Sequence, residues 1–423
     1  MLVQFSVGNF LSFKEVSTLN MMASRIREHQ NTNVFYVKKT KLIKSAVIYG
    51  ANSSGKSNLF KGLSFMAWFV RNSSKEGQID EEIDGVEAYR LSTETKDKPS
   101  LFEVVFILEG VLYRYGFEVD KEAVRSEWLT YSNNHKDEHD LFYREGDYFE
   151  ISPRFKEGKG IEERTRNNAL FLSVVANFKG EISTNIVRWF NKIKTVSGLS
   201  SHQFNGIRRK LSDENYKKKF IDLLHTVNLG IEDVSLPEEE DIPPEIKDFL
   251  TKLHKGDSSK IQVQQDIETL HKKYDAKNNF IGLEKFSLFQ EESEGTKKLI
   301  SLLGPVLDVL ANGYILVVDE LDAKLHPIMT RFIINLFHDP EHNLNNAQLV
   351  FNSHDTNLLH RKNFRRDQVW FTEKDQYGAT DLYSLDDFNV RNDASFEKDY
   401  LLGKYGSIPF IGSFHFSKEK GEN

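Results

Sequence analysis

The sequence predicts an α/β protein built around one sheet whose strands come from distant parts of the chain. The apolar run "SAVIYG" at 45–50 ends in glycine, and from Ser57 onward apolar residues recur at helical spacing, which predicts strand, loop and helix. The run "YILVVDE" at 314–320 predicts a second buried strand. With 423 residues, the chain is long enough for two packed lobes with a sizeable core.

The first part of the chain predicts mostly strands. Apolar residues alternate with polar ones near the start and predict a half-buried strand in the same sheet as 45–50; they are Val3, Phe5 and Val7. The segment 100–120 predicts a β-hairpin that turns at Glu109 and Gly110. Two further segments predict antiparallel strands, "SEWLTYS" at 126–132 and "DLFYREGDYFEI" at 140–151.

From about 161 to 279 the pattern is helical and highly charged. The candidate helices are "NIVRWFNKI" at 185–193, "YKKKFIDLLHTV" at 216–227 and "PPEIKDFLTKLHKG" at 243–256. No heptad register persists for three repeats, which argues against a long coiled coil. The acidic "LPEEEDIPPE" at 236–245 predicts an exposed loop. Strand patterns return at 281–289, 314–320 and 347–354.

Composition excludes several classes of site. The chain has no cysteine, so thiol nucleophiles, thiolate zinc sites and disulfides are excluded, and the sequence fits a reducing cytoplasm. No apolar run is long enough to span a bilayer, so we expect a soluble, intracellular protein without a membrane partner. The net charge of −7 gives no global attraction to nucleic acid, so such binding would need a local basic face.

The segment "GANSSGKS" at 50–57 fits the phosphate-loop pattern G-x-x-x-x-G-K-[ST]. Its glycines let backbone N–H groups curl around phosphates, Lys56 can reach the terminal phosphates, and the Ser57 hydroxyl can ligate Mg²⁺. The helix that starts at Ser57 also points its positive dipole end at the nucleotide. The residues expected to hold ATP here are Gly50, Asn52, Ser53, Ser54, Gly55, Lys56, Ser57 and Asn58.

Two carboxylates end the apolar strand at 314–320 and predict the acidic half of the same site. Asp319 is expected to hold Mg²⁺ through water, and Glu320 to orient and polarise the attacking water. Lys56 and Asp319 are 263 positions apart, which is too far for a minimal nucleotide-binding domain. A large insertion must therefore separate two halves of one sheet.

A second anion site is predicted at the start of another helix. After Gly295, apolar residues keep helical spacing up to a stop signal at Gly313, so Ser293 and Gly295 stand at a helix N-terminus. Taken alone, this segment is better explained as an ordinary N-cap. The order of the surrounding motifs favours the functional interpretation.

That order resembles the ABC/SMC-type ATPases: phosphate loop, long insertion, S-x-G before a helix, a strand ending in Asp-Glu, "LDAKLHP", and a strand ending in "SHDT". The resemblance implies that Ser293 and Gly295 form the signature motif. It further implies that Asp322 lies in the D-loop, and that His354 is the switch histidine that contacts the γ-phosphate. In such a two-fold sandwich, the signature of one protomer closes over ATP held by Lys56 of the other.

Several segments together carry a narrower resemblance: "MLVQFSVGNFLSFKE", "SAVIYGANSSGKSNLFKGLSFM", "FEVVFILEGVLYRYGFEV" with "EWL" and "LFYR", "EESEGTKKLISLLGPVLDVLANGYILVVDELDAKLHP" and "FEKDYLLGKYGSIPFIG". With them the chain resembles the RloA/AbiLi-type AAA-family ATPases of bacterial abortive-infection and restriction-associated loci. The similarity covers most of the chain except the charged region near 200–280.

This resemblance implies an α/β fold of the ABC/SMC type, a P-loop ATPase with a split sheet, an antiparallel β-rich subdomain in the first lobe and a charged helical insertion. We divide the chain accordingly. Residues 1–155 form an N-terminal ATPase lobe, 156–280 a helical insertion or second lobe, and 281–423 a C-terminal ATPase lobe.

The family implies a defence role with an effector, a nuclease or toxin, encoded nearby. We expect an ATP- and Mg²⁺-dependent switch that senses infection, and its candidate triggers are a phage protein, a DNA end and a change in the nucleotide pool. The family also implies a homo-oligomer built on ATP-sandwich dimers, in which Glu320, His354 and Lys56 carry catalysis. One departure is the signature, which reads S-E-G instead of S-G-G and weakens a transporter interpretation. The Q-loop glutamine is also not placed, and Gln78 and Gln290 are its candidates.

Two alternatives stay open. A DNA-processing ATPase of the overcoming-lysogenisation type would carry its own nuclease domain, but only 69 residues follow His354, and the acidic pair Asp386 and Asp387 fits a solvated turn better than a metal site. A scaffold that binds ATP without turnover would not need Glu320. Basic clusters at 207–210, 216–220 and 360–366 fit solvated helix faces better than a phosphate-backbone contact.

Overall fold

The computed structural model of the chain describes residues 1–76, 78, 81–134, 137–197, 201–237, 266–391 and 394–409. The predicted helix at 243–256 lies outside these residues, as does most of the predicted loop at 236–245. The strands are β1 (Leu2–Gly8), β2 (Ser17–Asn20), β3 (Val34–Val37), β4 (Thr40–Ile43), β5 (Ser45–Gly50), β6 (Ser100–Leu108), β7 (Val111–Val119), β8 (Val124–Ser132), β9 (His139–Glu145), β10 (Tyr148–Ile151), β11 (Ile193–Ser197), β12 (Ile231–Ser235), β13 (Glu268–Tyr274), β14 (Phe280–Ser287), β15 (Ile315–Asp319), β16 (Gln348–Asn352), β17 (Val369–Lys374) and β18 (Thr380–Ser384). The helices are α1 (Lys56–Asn72), α2 (Phe171–Asn177), α3 (Glu181–Phe190), α4 (Ser201–Lys210), α5 (Glu214–Thr226), α6 (Glu294–Asn312), α7 (Pro327–His338) and α8 (Phe396–Leu401).

A central sheet of six strands has the order β11-β15-β16-β5-β17-β18. Strand β5 lies between β16 and β17 and pairs with both in parallel, and β15 pairs in parallel with β16. Because parallel strands end at the same edge of a sheet, β5 and β15 bring their carboxyl ends to one side although they are distant in sequence. The strand order confirms the predicted α/β fold with a split sheet.

Apolar side chains cover both faces of the central sheet, as parallel sheets require. Along β5, Ala46 and Ile48 pack into one core with α1 and the antiparallel strands, whereas Val47 and Tyr49 pack into the other core with α6 and α7. Helix α1 contacts both β1 and β5, and it therefore lies between the two large sheets. This packing fixes the start of α1 directly beside the end of β5.

A second, antiparallel sheet of seven strands has the order β10-β9-β8-β7-β6-β1-β2. The predicted hairpin is confirmed, and its turn residues Glu109 and Gly110 have positive φ angles of 52° and 77°. The prediction that the first strand shares a sheet with 45–50 is wrong, because β1 pairs with β2 and β6. A side chain connects the two sheets instead. The backbone N–H of Leu2, in β1, donates to Oε1 of Gln348, in β16, over 2.7 Å.

The prediction of a helical segment from 161 to 279 is wrong in two places. Strand β11 pairs in parallel with β15, which places 193–197 at the edge of the central sheet. Helix α3 accordingly ends at Phe190, before the predicted end at 193. Strands β12 and β13 also lie in this segment, and they form a small antiparallel sheet with β14, which matches the strand predicted at 281–289. Helix α5 matches its prediction, and the division of the chain into three lobes stays a prediction.

Candidate functional site

The glycine-rich segment at 50–57 connects β5 to α1, as the sequence predicts. The loop turns through left-handed backbone at Ser53 and Gly55, whose φ angles are 64° and 110°. Its residues border a cavity of about 450 Å³, together with side chains from the ends of neighbouring strands. The residues around this cavity are Asn52, Ser53, Ser54, Gly55, Lys56, Ser57, Asn58, Glu320, Asn352, His354 and Lys374.

Gly50 does not border the cavity, and its role is close packing beneath the loop. A Cβ atom on Gly50 would lie 2.5 Å from Oγ of Ser54 and 2.6 Å from the carbonyl oxygen of Thr372. No side chain larger than hydrogen therefore fits between the end of β5 and the neighbouring β17.

Lys56 is 6% exposed, and its ammonium points back into its own loop. Nζ donates to the carbonyl oxygens of Gly50 over 2.7 Å and Ala51 over 2.9 Å. Burial lowers the pKa of Lys56, and the carboxylates of Asp319 and Glu320 oppose that shift. Two backbone carbonyl oxygens therefore hold the ammonium at the loop.

Hydroxyl groups from segments distant in sequence form hydrogen bonds with the loop and the start of α1. Oγ1 of Thr380 donates to the carbonyl oxygen of Ser54 over 2.8 Å and lies 2.7 Å from Oγ of Ser12. Oγ of Ser12 also accepts a hydrogen bond of 2.8 Å from Nδ2 of Asn58. A Cβ atom on Gly55 would lie 2.3 Å from Oγ1 of Thr380, so this position has room for glycine only.

The acidic residues that end β15 lie directly against the loop. The Ser57 hydroxyl donates to Oδ1 of Asp319 over 2.9 Å. Hydroxyl and carboxylate oxygens are ligands that Mg²⁺ prefers, and the two atoms already lie side by side. Ser57 and Asp319 therefore fit the predicted Mg²⁺ site.

Asn352 joins the two acidic residues, and sequence reasoning missed it. Its Nδ2 donates to Oδ1 of Asp319 over 2.5 Å, and its Oδ1 accepts from the backbone N–H of Glu320 over 2.5 Å. Glu320 has a φ angle of 56°, so the chain turns sharply there and the Glu320 side chain borders the cavity. Asn352 ends β16, the parallel neighbour of β15, and this strand pairing brings it to the site without a local signal in the sequence.

His354 borders the same cavity, and Asp322 lies behind it. The backbone N–H of His354 donates to Oδ2 of Asp322 over 3.1 Å, while Oδ1 of Asp322 is buried without a hydrogen-bond partner among the described residues. Lys374 also borders the cavity from the end of β17. No local signal in the sequence marks Lys374, because strand pairing alone brings it there.

Ser293 and Gly295 are not among the residues around this cavity. Ser293 is the N-cap of α6, and its Oγ accepts from the backbone N–H of Thr296 over 3.1 Å. A Cβ atom on Gly295 would lie 3.1 Å from the carbonyl oxygen of Lys324, so the start of α6 packs closely on the segment after β15. The predicted helix end is confirmed at Gly313, which has a φ angle of 65°.

The two Q-loop candidates do not join the site. Gln78 donates its backbone N–H to Oε2 of Glu81 over 2.7 Å, and the backbone N–H of Gln290 donates to Oγ of Ser287 over 3.0 Å. Neither glutamine borders the cavity next to the loop.

Other charged groups have structural contacts. Arg365, in the basic cluster at 360–366, is 1% exposed and donates to the Asp367 carboxylate and to the carbonyl oxygen of Glu28, so interpreting this cluster as a solvated face is wrong for Arg365. In the acidic pair, Asp387 accepts from the backbone N–H of Ser384 over 2.8 Å and caps a short 3₁₀ turn.

The chain matches one protein family over most of its length. Residues 45–360, about three quarters of the chain, match the family described as "AAA domain, putative AbiEii toxin, Type IV TA system". A search of curated proteins finds none that matches this chain. Within the described residues, no helix has both the length and the apolar character needed to cross a membrane.

Solved structures with a similar arrangement come from at least two other proteins. One is the SMC head domain from Thermotoga maritima, with 13% identity, a TM-score of 0.40, and coverage of 90% of this chain and 98% of that one. Another is the recombination mediator protein RecF with ATPrS, with 14% identity, a TM-score of 0.36, and the same coverage.

Proposed function

Since the chain belongs to this AAA-domain family, we propose that it binds and hydrolyses ATP as the sensor and switch subunit of a bacterial anti-phage defence complex. The observation that carries the proposal is the hydrogen-bonded series from Ser57 through Asp319 and Asn352 to Glu320, which connects the phosphate loop to a candidate catalytic carboxylate. All of these groups meet at the carboxyl edge of the central sheet, where ligands of open α/β sheets bind.

The phosphate loop would bind the substrate. Its backbone N–H groups and the N-terminus of α1 attract phosphate oxygens, and the Lys56 ammonium neutralises charge on the terminal phosphates. Ser57 and Asp319 would hold Mg²⁺, which, when bound, neutralises the charge that develops on the phosphates.

Glu320 would act on the water molecule that attacks the γ-phosphorus. The carboxylate accepts a proton from this water as the new P–O bond forms and the bond to the ADP oxygen breaks. Asn352 fixes the backbone of Glu320, and the sharp turn at Glu320 directs its side chain to the cavity. His354 borders the same space and would contact the γ-phosphate.

The signature residues suggest that two copies of the chain are needed. Ser293 and Gly295 lie away from the cavity of their own chain, so we propose that they close over ATP held by a second copy. Asp322, in the predicted D-loop, would then lie near the interface between the two copies. ATP would hold the dimer together, and hydrolysis would release it.

The defence role rests on the family, whose description refers to a toxin of a toxin–antitoxin system. We propose that the switch acts in the cytoplasm, responds to a phage protein and controls a separate nuclease or toxin. Its test is native mass spectrometry of the Glu320→Gln protein expressed from its own locus, with and without Mg-ATP. Even-numbered assemblies that carry a second polypeptide would support the switch, and a bare monomer that binds ATP would contradict it.

The ATPase proposal is tested with three purified proteins: the unchanged chain, Lys56→Ala and Glu320→Gln. We expect the unchanged chain to release phosphate from ATP, Lys56→Ala to lose ATP binding, and Glu320→Gln to bind ATP while turnover falls by about 10²- to 10⁴-fold. Unchanged turnover in Glu320→Gln would contradict the assigned base. DNA cleavage that needs metal and persists in Lys56→Ala would instead support a nuclease.

A further inference from the structure

The segment between β14 and α6 is held against the small antiparallel sheet just before the signature begins. The backbone N–H of Leu288 donates to the carbonyl oxygen of Ile267 over 2.9 Å. The backbone N–H of Phe289 donates to Oδ1 of Asp266 over 3.3 Å. Because Asp266 and Ile267 directly precede β13, these bonds fix the chain after β14 relative to the start of β13.

Glu292, which directly precedes Ser293, contacts the same sheet with its side chain. Its Oε1 accepts a hydrogen bond of 2.6 Å from the hydroxyl of Thr269 and lies 2.7 Å from Nε2 of His271. An ionised carboxylate only accepts hydrogen bonds, so Nε2 of His271 carries the proton in this contact. Thr269 and His271 are two positions apart on β13 and therefore share one face of the small sheet. We call the side chains of Thr269, His271 and Glu292 the β13 clamp.

The β13 clamp is largely shielded from water. Thr269 is fully buried, and the side chains of His271 and Glu292 are 22% and 10% exposed. The ring of His271 also packs against the ring of Phe286, with their centroids 4.7 Å apart, which fixes the orientation of the imidazole. Hydrogen bonds to a charged group are stronger than those between neutral groups, and breaking them here would leave a largely buried carboxylate unpaired.

We propose that the β13 clamp positions the signature for closure over ATP bound by a second copy, with Thr269 and His271 as positioning residues. This inference rests on the proposed function. Glu292 adjoins Ser293, the N-cap of α6, so only the backbone torsions between these two residues separate the clamp from the first signature residue. A displacement of the small sheet would therefore move the signature with it.

On its other side, the signature forms an ion pair with the segment after β15. Nζ of Lys324 donates to Oε2 of Glu294 over 2.9 Å, but the two side chains are 54% and 55% exposed. Exposed ion pairs of this kind contribute little to stability. The β13 clamp, and not this ion pair, is therefore expected to determine where the signature lies.

The first test measures dimerisation in the Glu320→Gln background. We expect Glu292→Ala to weaken the ATP-dependent dimer about 10-fold or more in analytical ultracentrifugation, the scale of one lost hydrogen bond to a charged group. ATP binding, measured at protein concentrations below those that give dimers, should stay unchanged because the phosphate loop is intact. Glu292→Gln keeps an accepting oxygen and should lose less than Glu292→Ala.

The matched control is Glu268→Ala. Glu268 precedes Thr269 on β13 and so points to the opposite face of the small sheet. Its carboxylate accepts from the hydroxyl of Ser235 over 2.6 Å and pairs with Nζ of Lys285 at 2.9 Å. The control therefore removes a carboxylate with comparable contacts from the same sheet, and its dimer should be as stable as that of the background.

A second measurement needs no dimer. The backbone N–H of Thr296 donates to Oγ of Ser293 over 3.1 Å, so its hydrogen exchange reports on the order of the signature. Without ATP, exchange at Thr296 should be faster in Glu292→Ala than in the background protein. Glu268→Ala should leave it unchanged.

The outcomes are distinguishable. If the Glu320→Gln protein does not bind ATP or does not dimerise with it, the proposed function fails, whereas unchanged exchange at Thr296 in Glu292→Ala overturns the clamp alone. Equal dimerisation of the background and Glu292→Ala, or an equal loss in Glu268→Ala, also overturns the inference. If Glu292→Ala does not fold, Thr269→Val, which removes one donor and keeps the shape, takes its place. Unchanged dimerisation in that variant overturns the inference equally.

Discussion

The side-chain amide of Asn352 donates a hydrogen bond of 2.5 Å to the carboxylate of Asp319. The oxygen of the same amide accepts a hydrogen bond from the backbone N–H of Glu320, so one side chain contacts both acidic residues. We expect Asn352→Ala to lower kcat by about 10- to 100-fold, with little change in ATP affinity, because the carboxylates remain but are no longer held. Steady-state kinetics and equilibrium ATP binding measure the two quantities.

Asn343→Ala is the control for this change. Asn343 is 2% exposed and donates to the carbonyl oxygens of Phe337 and Ala347, and none of these residues borders the cavity next to the phosphate loop. This variant should lose stability and keep its kcat. Equal kcat values in Asn352→Ala and the unchanged protein would show that Asn352 has no part in positioning.

Gly55 is expected to tolerate no side chain. Alanine there would combine a φ angle of 110° with a Cβ only 2.3 Å from Oγ1 of Thr380. Local strain of about 1–3 kcal/mol would distort the loop, and ATP affinity should fall by about tenfold or more. Isothermal titration with ATP measures the loss.

Gly146→Ala tests strain without a steric clash. Gly146 has a φ angle of 57°, and no atom lies within 4 Å of the position that a Cβ would take, so only backbone strain of about 1 kcal/mol is added. Stability should fall slightly while ATP affinity stays unchanged. A similar loss of ATP affinity in both variants would mean that the effect at Gly55 is global.

Ser293 and Ser395 have the same structural role, which makes a direct comparison available. Each caps a helix, with Oγ accepting from the backbone N–H three residues later, at 3.1 Å for Ser293 and 3.4 Å for Ser395. Replacing either by alanine should cost about 1 kcal/mol of stability. In a Glu320→Gln background, only Ser293→Ala is expected to weaken the ATP-dependent dimer in analytical ultracentrifugation. If both variants dimerise equally, Ser293 acts only as an N-cap and has no part in the dimer.

Stability should depend on the protonation of His338. Burial lowers the pKa of His338 to about 3, and its Nε2 lies 2.7 Å from the hydroxyl of Ser45. The folded protein keeps the ring neutral, whereas the unfolded chain takes up a proton below its ordinary pKa of about 6.5. The contribution to stability is therefore present above that value and lost as the pH falls toward 3.

Between pH 7 and pH 5, this group should lower the free energy of unfolding by about 2 kcal/mol. His338→Gln carries no titrating ring, so the stability difference between the unchanged protein and this variant should shrink by that amount over the same range. Urea denaturation at the two pH values measures it. A difference that does not change with pH would show that folding leaves the pKa of His338 at its ordinary value.

The phosphate loop and its flanking elements could be predicted because their signals are local. Glycine, lysine and serine at fixed spacing dictate the loop, and the N-cap Ser293 and the stop at Gly313 delimit α6 within one segment. The acidic end of β15 was predicted for the same reason. Each of these elements is determined by residues that are neighbours in sequence.

What the sequence did not reveal depends on strand pairing. Asn352 and Lys374 enter the site because β16 and β17 lie on either side of β5, and no local pattern specifies that order. Strand β11 is too short, with too mixed a sequence, to stand out from the charged helices around it. Lys298 looks like one more surface lysine until the packing of α6 shows that it is buried.

The strand order of the central sheet also constrains how the chain folds during synthesis. Strand β5 emerges early, but its partners β16 and β17 lie at 348–352 and 369–374. At a synthesis rate of about 5–20 residues per second, roughly 15 to 60 s pass between the synthesis of β5 and that of its partners. The apolar side chains of β5 stay uncovered during that time, which is a risk for aggregation. The antiparallel hairpins from β6 to β10 can form during that interval, because their contacts are short in sequence. The phosphate loop gains its support only when nearly the whole chain has left the ribosome, so a prematurely terminated chain cannot assemble a nucleotide site.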